Sequence, residues 1–210
     1  MSKPYNYFLN TIERAENLLQ AADEHEDILS DDLARGSVIL SVAAFDHYFT
    51  SKFCDVLNNY LKNNKPNKKL IERLERAGLN TEMALELAVM KRPFRRIRSL
   101  LSKSLSGVTT NQTKAIENLF SAIDLDGLSG RIHKHCNRKN LGRRIEKLVI
   151  IRNEVSHCAH INSHGQPKAI DAEDVGARIE ELKLFVDSSE IIINQWVKDK
   201  KMGAVSSATD

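Results

Sequence analysis

The stretch Leu141-Gly142-Arg143-Arg144-Ile145-Glu146-Lys147-Leu148-Val149-Ile150-Ile151-Arg152-Asn153-Glu154-Val155-Ser156-His157 reads as an amphipathic helix with a cation on its apolar stripe. Leu141, Ile145 and Leu148 recur at four-then-three spacing, and the next positions on that stripe are Arg152 and Val155. A guanidinium cannot shed its charge. Burying it alone costs several kcal/mol, so Arg152 must face an anion, a carboxylate or a cleft open to solvent. Five residues on, His157 is a side chain able to take or give a proton near neutral pH. At about 100° per residue, Arg152 and His157 point about 140° apart, whereas Asn153 and His157 lie about 40° apart, close enough for Asn153 to orient the imidazole across one turn.

Outward from this helix, near 140 to 157, the chain divides into further helical segments. Phe8, Ile12, Ala15, Leu19 and Ala22 predict a first helix over about 5 to 25. Asp31 or Asp32 is a natural cap for a longer one whose buried face carries Val38, Val42, Phe45, Phe49, Phe53 and Val56. Asn63 to Asn67, containing Pro66, reads as a loop. Short helices follow near 68 to 77 and 81 to 90, separated by Gly78, with Asn80 or Thr81 as the second cap. Pro93 suits the first turn of another, near 93 to 104. Thr110 is a cap for a helix through Ile123, Gly127 to Gly130 interrupts, and residues 131 to 140 are basic with only weak periodicity. Ile161 to Lys168, with Gly165 and Pro167, reads as a loop. Asp171 and Asp174, at capping-box spacing, open a last helix to about Lys198. No stretch alternates at period two, so the expected fold is all-α: one domain over 1–198 and a flexible tail over 199–210.

The chain has 210 residues, 41% hydrophobic and 28% charged, ordinary globular values. No apolar run approaches the roughly 18 residues of a membrane span, and the N-terminal segment lacks a signal peptide's plan, which gives an expectation of a cytoplasmic protein. Cys54, Cys136 and Cys158 are odd in number and scattered, as reduced thiols are. The net charge of +3 hides segregation. Acids crowd residues 13 to 32, where Arg14 is the only arginine or lysine. Lys91, Arg92, Arg95, Arg96, Arg98 and Lys103 form one acid-free block; Arg131, Lys134, Arg138, Lys139, Arg143, Arg144 and Lys147, with Glu146 among them, lead into the arginine–histidine segment. Cation density beside a candidate site is the footprint of a polyanion, although each block read alone is equally a solvated helical face.

Arg-x4-His, with asparagine after the arginine near the end of an amphipathic helix, resembles the motif of the HEPN superfamily, many of whose members are metal-independent ribonucleases. Leu33 to Val38, running into Ala43-Ala44-Phe45-Asp46-His47-Tyr48, resembles the long early helix of the members found in bacterial and archaeal toxin and defence systems. Where relatives carry glycine or a spaced tyrosine after the histidine, this chain has Cys158-Ala159. The resemblance implies a HEPN-like helical bundle with additional short helices, its basic insert lying between the early long helix and the motif helix. It also implies a homodimer in which two motifs share a composite cleft. On this reading His157 moves protons, Arg152 stabilises transition-state charge, Asn153 orients, and Asp46 supports Arg152. Arg92, Arg95, Arg96, Arg98, Arg143 and Arg144 bind RNA, tRNA among the candidates.

Cleavage by 2′-hydroxyl attack needs no cofactor or metal, and the expected partners are RNA, a second copy and an antitoxin or regulatory protein, with no membrane. Three other readings stay open. The principal alternative is a catalytically silent RNA-binding or dimerisation module, and Arg152 is also readable as a structural partner of Glu154 or Asp46 while His157 caps the helix. His133, His135, Cys136, His157, Cys158, His160 and His164 raise zinc, but without Cys-x2-Cys spacing. No Walker loop, Rossmann glycine pattern or nucleophile elbow occurs.

Overall fold

A computed structural model describes residues 1–25, 28–105 and 112–206. Among them the chain forms nine helices and no strand: α1 (Lys3–Ala22), α2 (Ile28–Asn63), α3 (Lys68–Arg76), α4 (Thr81–Val89), α5 (Pro93–Leu105), α6 (Thr113–Ser121), α7 (Leu128–Cys136), α8 (Leu141–Cys158) and α9 (Ala172–Ser206). An isolated antiparallel bridge joins Ile161 to Pro167.

Local chemistry accounts for most boundaries. The Ser2 hydroxyl caps α1 by accepting from the Tyr5 amide at 3.4 Å, and Asn67 and Asn80 cap α3 and α4 by accepting from Leu70 and Met83 at 2.9 and 2.8 Å. Gly78 at φ +103° ends α3. Asp171 accepts from the Asp174 amide at 3.1 Å and opens α9, but the Asp174 carboxylate turns to Arg178 rather than back to the cap. The expected Thr110 cap lies outside the described residues.

Four expectations are corrected. Helix α2 begins at Ile28, before Asp31 and Asp32, whose carboxylates pair with Arg35 instead of capping. Gly127, at φ +70°, breaks the chain, but Gly130 lies inside α7. The weakly periodic residues after it are helical to Cys136 because Leu128 and Ile132 anchor them in the core. Helix α9 continues to Ser206, past the expected end near Lys198.

Helix α2 is the spine. Tyr5 meets Tyr48 and Leu18 lies beside Gly36, so α1 runs antiparallel to it. Lys52 pairs with Glu190 and Tyr60 stacks on Trp196, so α9 runs parallel. Arg152 meets Asp46 and His160 meets Arg35, so α8 descends antiparallel. Phe45, Phe49, Phe53, Phe120 and Phe185 fill the centre with edge-on and tilted rings. Within this core lies an ion pair. Lys52 holds Glu190 at 2.7 Å, Asn194 accepts from the ammonium at 2.7 Å, and Tyr48 donates to Glu190 at 3.0 Å. Burial pushes the Glu190 carboxyl up, but the hydrogen bonds from Lys52 and Asn194 more than offset this and hold it at about 2. The start of α8 is seated against α6, where any Cβ at Gly142 would come within 2.7 Å of Thr113.

Candidate active site at the end of α8

The last two turns of α8 carry the motif. The Arg152 guanidinium reaches the Asp46 carboxylate of α2 at 3.5 Å, a long contact between two side chains 19% and 20% exposed. Glu154, the other acid considered as its partner, instead accepts from Lys168 at 2.6 Å. That hydrogen bond, reinforced by the lysine's charge, lowers the Glu154 carboxyl. Asn153 is partly buried and His157 exposed, and among the described residues neither side chain makes a hydrogen bond, so the one-turn link between them is not formed.

His157 does not cap the helix. Capping falls to the backbone of Ala159 and His160, both left-handed at φ +49° and +53°, whose amides point to the Glu154 carbonyl, His160 at 3.2 Å. His160 is 6% exposed, and its Nδ1 accepts from Arg35 Nε at 3.3 Å. Burial, then the Arg35 charge, lowers the His160 imidazole. Arg35, also 6% exposed, donates further to Asp32 at 2.7 Å, Asp31 at 3.4 Å and the Lys168 carbonyl at 2.5 Å.

Sequence reasoning gave Arg35 no functional role and considered His160 only among possible zinc ligands. The signal for Arg35 was present: it sits three residues before Val38 on the stripe that continues through Val42, Phe45 and Phe49, the anomaly that drew attention to Arg152. Lys52, between Phe49 and Val56 on the same face, is a third case.

The basic residues divide. Arg98 pairs with Asp55 and Arg144 with Glu181, so two of the expected RNA contacts hold helices together. Arg92, just before α5, and Arg95 and Arg96, in its first turn, are exposed. That helix is tied to α2 through Asp55, nine residues beyond Asp46; nine residues are about half a turn around α2 and about 13 Å along it. The Arg98 anchor of the α5 block therefore lies on another side of α2 from the Asp46–Arg152 contact. Arg143 and Lys147 are exposed on α8, Arg143 within about 40° of His157 and about 21 Å from it along the axis. Arg131, Lys134, Arg138 and Lys139 are exposed on α7 and the turn after it. Among the described residues none of these six cations has an acidic partner.

Beside Asp46, Ile39 and Ala43 are exposed on α2, and Ile150 is 56% exposed on the His157 face of α8. The cysteines are free. Among the described residues no three His, Cys, Asp or Glu side chains gather as a metal site, and no helix is long and apolar enough to cross a membrane.

Comparison with known proteins gives one result: the sequence model of the family described as RiboL-PSP-HEPN matches residues 7–195. No curated protein and no solved structure matches the chain.

Proposed function

This chain belongs to the RiboL-PSP-HEPN family of the HEPN superfamily, whose general business is RNA cleavage or RNA binding, and on that premise we propose that it is a metal-independent endoribonuclease. The observation that carries the reading is the state of the motif. An arginine held by one long contact, with donor capacity in reserve, stands one to two turns from an exposed histidine. Within one subunit the two side chains diverge, which supports a cleft shared by two copies about a two-fold axis, and the exposed Ile39, Ala43 and Ile150 supply apolar surface for that pairing.

In such a cleft a neutral His157 takes the proton of the ribose 2′-hydroxyl as its oxygen attacks the adjacent phosphorus. The P–O5′ bond breaks, and the protonated His157 of the second copy gives its proton to the departing 5′-oxygen. The products are a 2′,3′-cyclic phosphate and a 5′-hydroxyl. The two Arg152 side chains hold the non-bridging oxygens as negative charge accumulates, Asp46 keeps them from swinging out, and Asn153 turns toward His157 when substrate orders the site. RNA approaches over α7 and α8, where Arg131, Lys134, Arg138, Lys139, Arg143 and Lys147 carry unneutralised charge; Arg92, Arg95 and Arg96 form a second, remote contact.

Resemblance to toxin and defence members supports the finer role: a cytoplasmic effector that cuts tRNA or other cellular RNA under the restraint of an antitoxin or regulatory protein. Incubating RNA with wild type and His157→Ala in EDTA tests the chemistry; cyclic phosphate ends from wild type and none from the variant are expected. The Arg152–Asp46 contact favours a second reading, a silent RNA-binding or dimerisation module in which that pair only joins two helices. Cleavage by neither protein would leave that reading in place, and equal cleavage by both would overturn the assignment of His157.

A further inference from the structure

Immediately beyond His157 the chain enters a closed circuit of contacts. Arg35 Nε donates to His160 Nδ1 at 3.3 Å, His160 Nε2 lies 3.8 Å from Glu154, Lys168 Nζ holds Glu154 at 2.6 Å, and the Lys168 carbonyl accepts from Arg35 at 2.5 Å. The loop between them is itself tied: the Lys168 amide donates to the His160 carbonyl at 2.8 Å and the Asn162 amide to the Gln166 carbonyl at 2.8 Å. Asp31 and Asp32 neutralise Arg35 from behind. His160 is thus faced by Arg35 and Asp31 from α2, Glu154 from α8 and Lys168 from the loop.

Since Arg35 Nε is always a donor, His160 Nδ1 must offer its lone pair, and the ring is neutral with its proton on Nε2. A second proton would set N–H against N–H at 3.3 Å and place a cation beside the guanidinium. A helix end without such a fastening frays, and His157 is in the final turn.

We propose that Arg35 and His160 form a proton-sensitive latch that positions the last turn of α8, so that acidification loosens the segment carrying His157. Only its consequence for cleavage rests on the proposed ribonuclease activity; the latch itself is a property of the fold. Arg35 and His160 are positioning residues, and neither touches the reacting atoms.

Amide hydrogen exchange over residues 158–168, corrected for intrinsic rates and referenced to amides of α1, reads the latch directly at pH 7.5 and 5.5. Wild type exchanges slowly at pH 7.5 and about tenfold faster at pH 5.5, the ratio expected from losing one hydrogen bond to a charged group. Asparagine tolerates the left-handed backbone at residue 160, presents an acceptor oxygen to Arg35 and cannot be protonated, so His160→Asn stays slow at both values. Arg35→Lys keeps the charge but lacks Nε, and is fast at both. Acid loosening of His160→Asn equal to that of wild type, or an Arg35→Lys protein as slow as wild type at pH 7.5, overturns the latch. In RNA cleavage assays the latch requires Arg35→Lys to lower kcat with little change in KM, and His160→Asn to shift the acid limb of the profile to lower pH. If wild type cleaves no RNA, the ribonuclease assignment fails while the exchange data still decide the latch.

Discussion

Arg35 and Arg152 are both guanidiniums on apolar stripes at the junction of α2 and α8, yet they are used in opposite ways. Arg35 is buried and donates to two carboxylates, a carbonyl and an imidazole, so nearly all of its hydrogen-bonding capacity is consumed by the fold. Arg152, half-buried, has one contact at 3.5 Å, close to the limit at which a hydrogen bond retains any strength. A fully satisfied arginine is a fastener. One held loosely by a single acid can turn to a phosphate without leaving a buried charge behind. The anomaly that both share in sequence is therefore no guide to role; the number and quality of partners is.

Substitutions sharpen the contrast. The largest loss of stability is expected at Lys52, the third cation on the α2 face. Lys52→Met strands Glu190 in the core and lowers unfolding free energy by about 3–5 kcal/mol, read from chemical denaturation. The native pair also has a pH signature. Because the folded Glu190 carboxyl is depressed to about 2, its contribution is present above the ordinary carboxylate value near 4.5 and disappears as pH falls from there toward 2. Lys52→Met abolishes that part of the acid transition.

Arg152→Ala comes next, and it is the substitution that could break the comparison. Cleavage falls by about 10²–10³-fold, the usual penalty for removing one donor from a developing oxyanion, while stability changes by less than about 1 kcal/mol, the range for a poorly formed, partly exposed ion pair. A large loss of stability with unaltered cleavage would make Arg152 a second fastener and end the distinction drawn here. Arg35→Ala acts first on the fold, and on cleavage only through the last turn of α8. Stability drops by about 2 kcal/mol, in proportion to the lost charge-assisted hydrogen bonds. In the wild type, the depressed His160 adds stability that is complete above the ordinary histidine value near 6.5 and is lost as pH falls below it; this acid sensitivity is weaker in the variant, which keeps the burial but loses the Arg35 charge.

The smallest effects per residue concern the two basic surfaces. Measured with His157→Ala protein so that RNA survives, binding by a triple Arg138→Ala, Arg143→Ala, Lys147→Ala variant has a log Kd against log salt slope shallower by about 2, three lost phosphate contacts at about 0.7 each. The matching triple at Arg92, Arg95 and Arg96 changes the slope by less than about 1. Equal effects would mean that substrate wraps the subunit to reach the far face of α2.

Residue spacing made most of the helices legible, because four-three recurrence, Asn80 as a cap and Pro93 as a helix start are all local signals. It failed for α7, a helix of nine residues whose two buried side chains are Leu128 and Ile132 and whose N-terminal amides donate to Glu117 from α6, contacts that only the fold supplies. The motif could be located from spacing alone, and so could the need of Arg152 for an anion. The Asn153–His157 hydrogen bond could not be settled that way: spacing allows it, while the actual rotamers leave it unmade. Arg98 and Arg144 could not be distinguished from Arg143 because charge density in one dimension says nothing about which acid a neighbouring helix presents.

What this sequence determines by itself is therefore its set of amphipathic helices, the family to which it belongs and the arginine–histidine pair at the end of one helix, since each depends on residues within a few turns of one another. Tertiary structure alone decides that Asp46 rather than Glu154 meets Arg152, that Glu190 neutralises Lys52 from 138 positions away, and that Arg35 closes on His160 across 125 residues. Charges can be paired only by whatever folding brings within a few ångströms, and that proximity is set by how the helices stack.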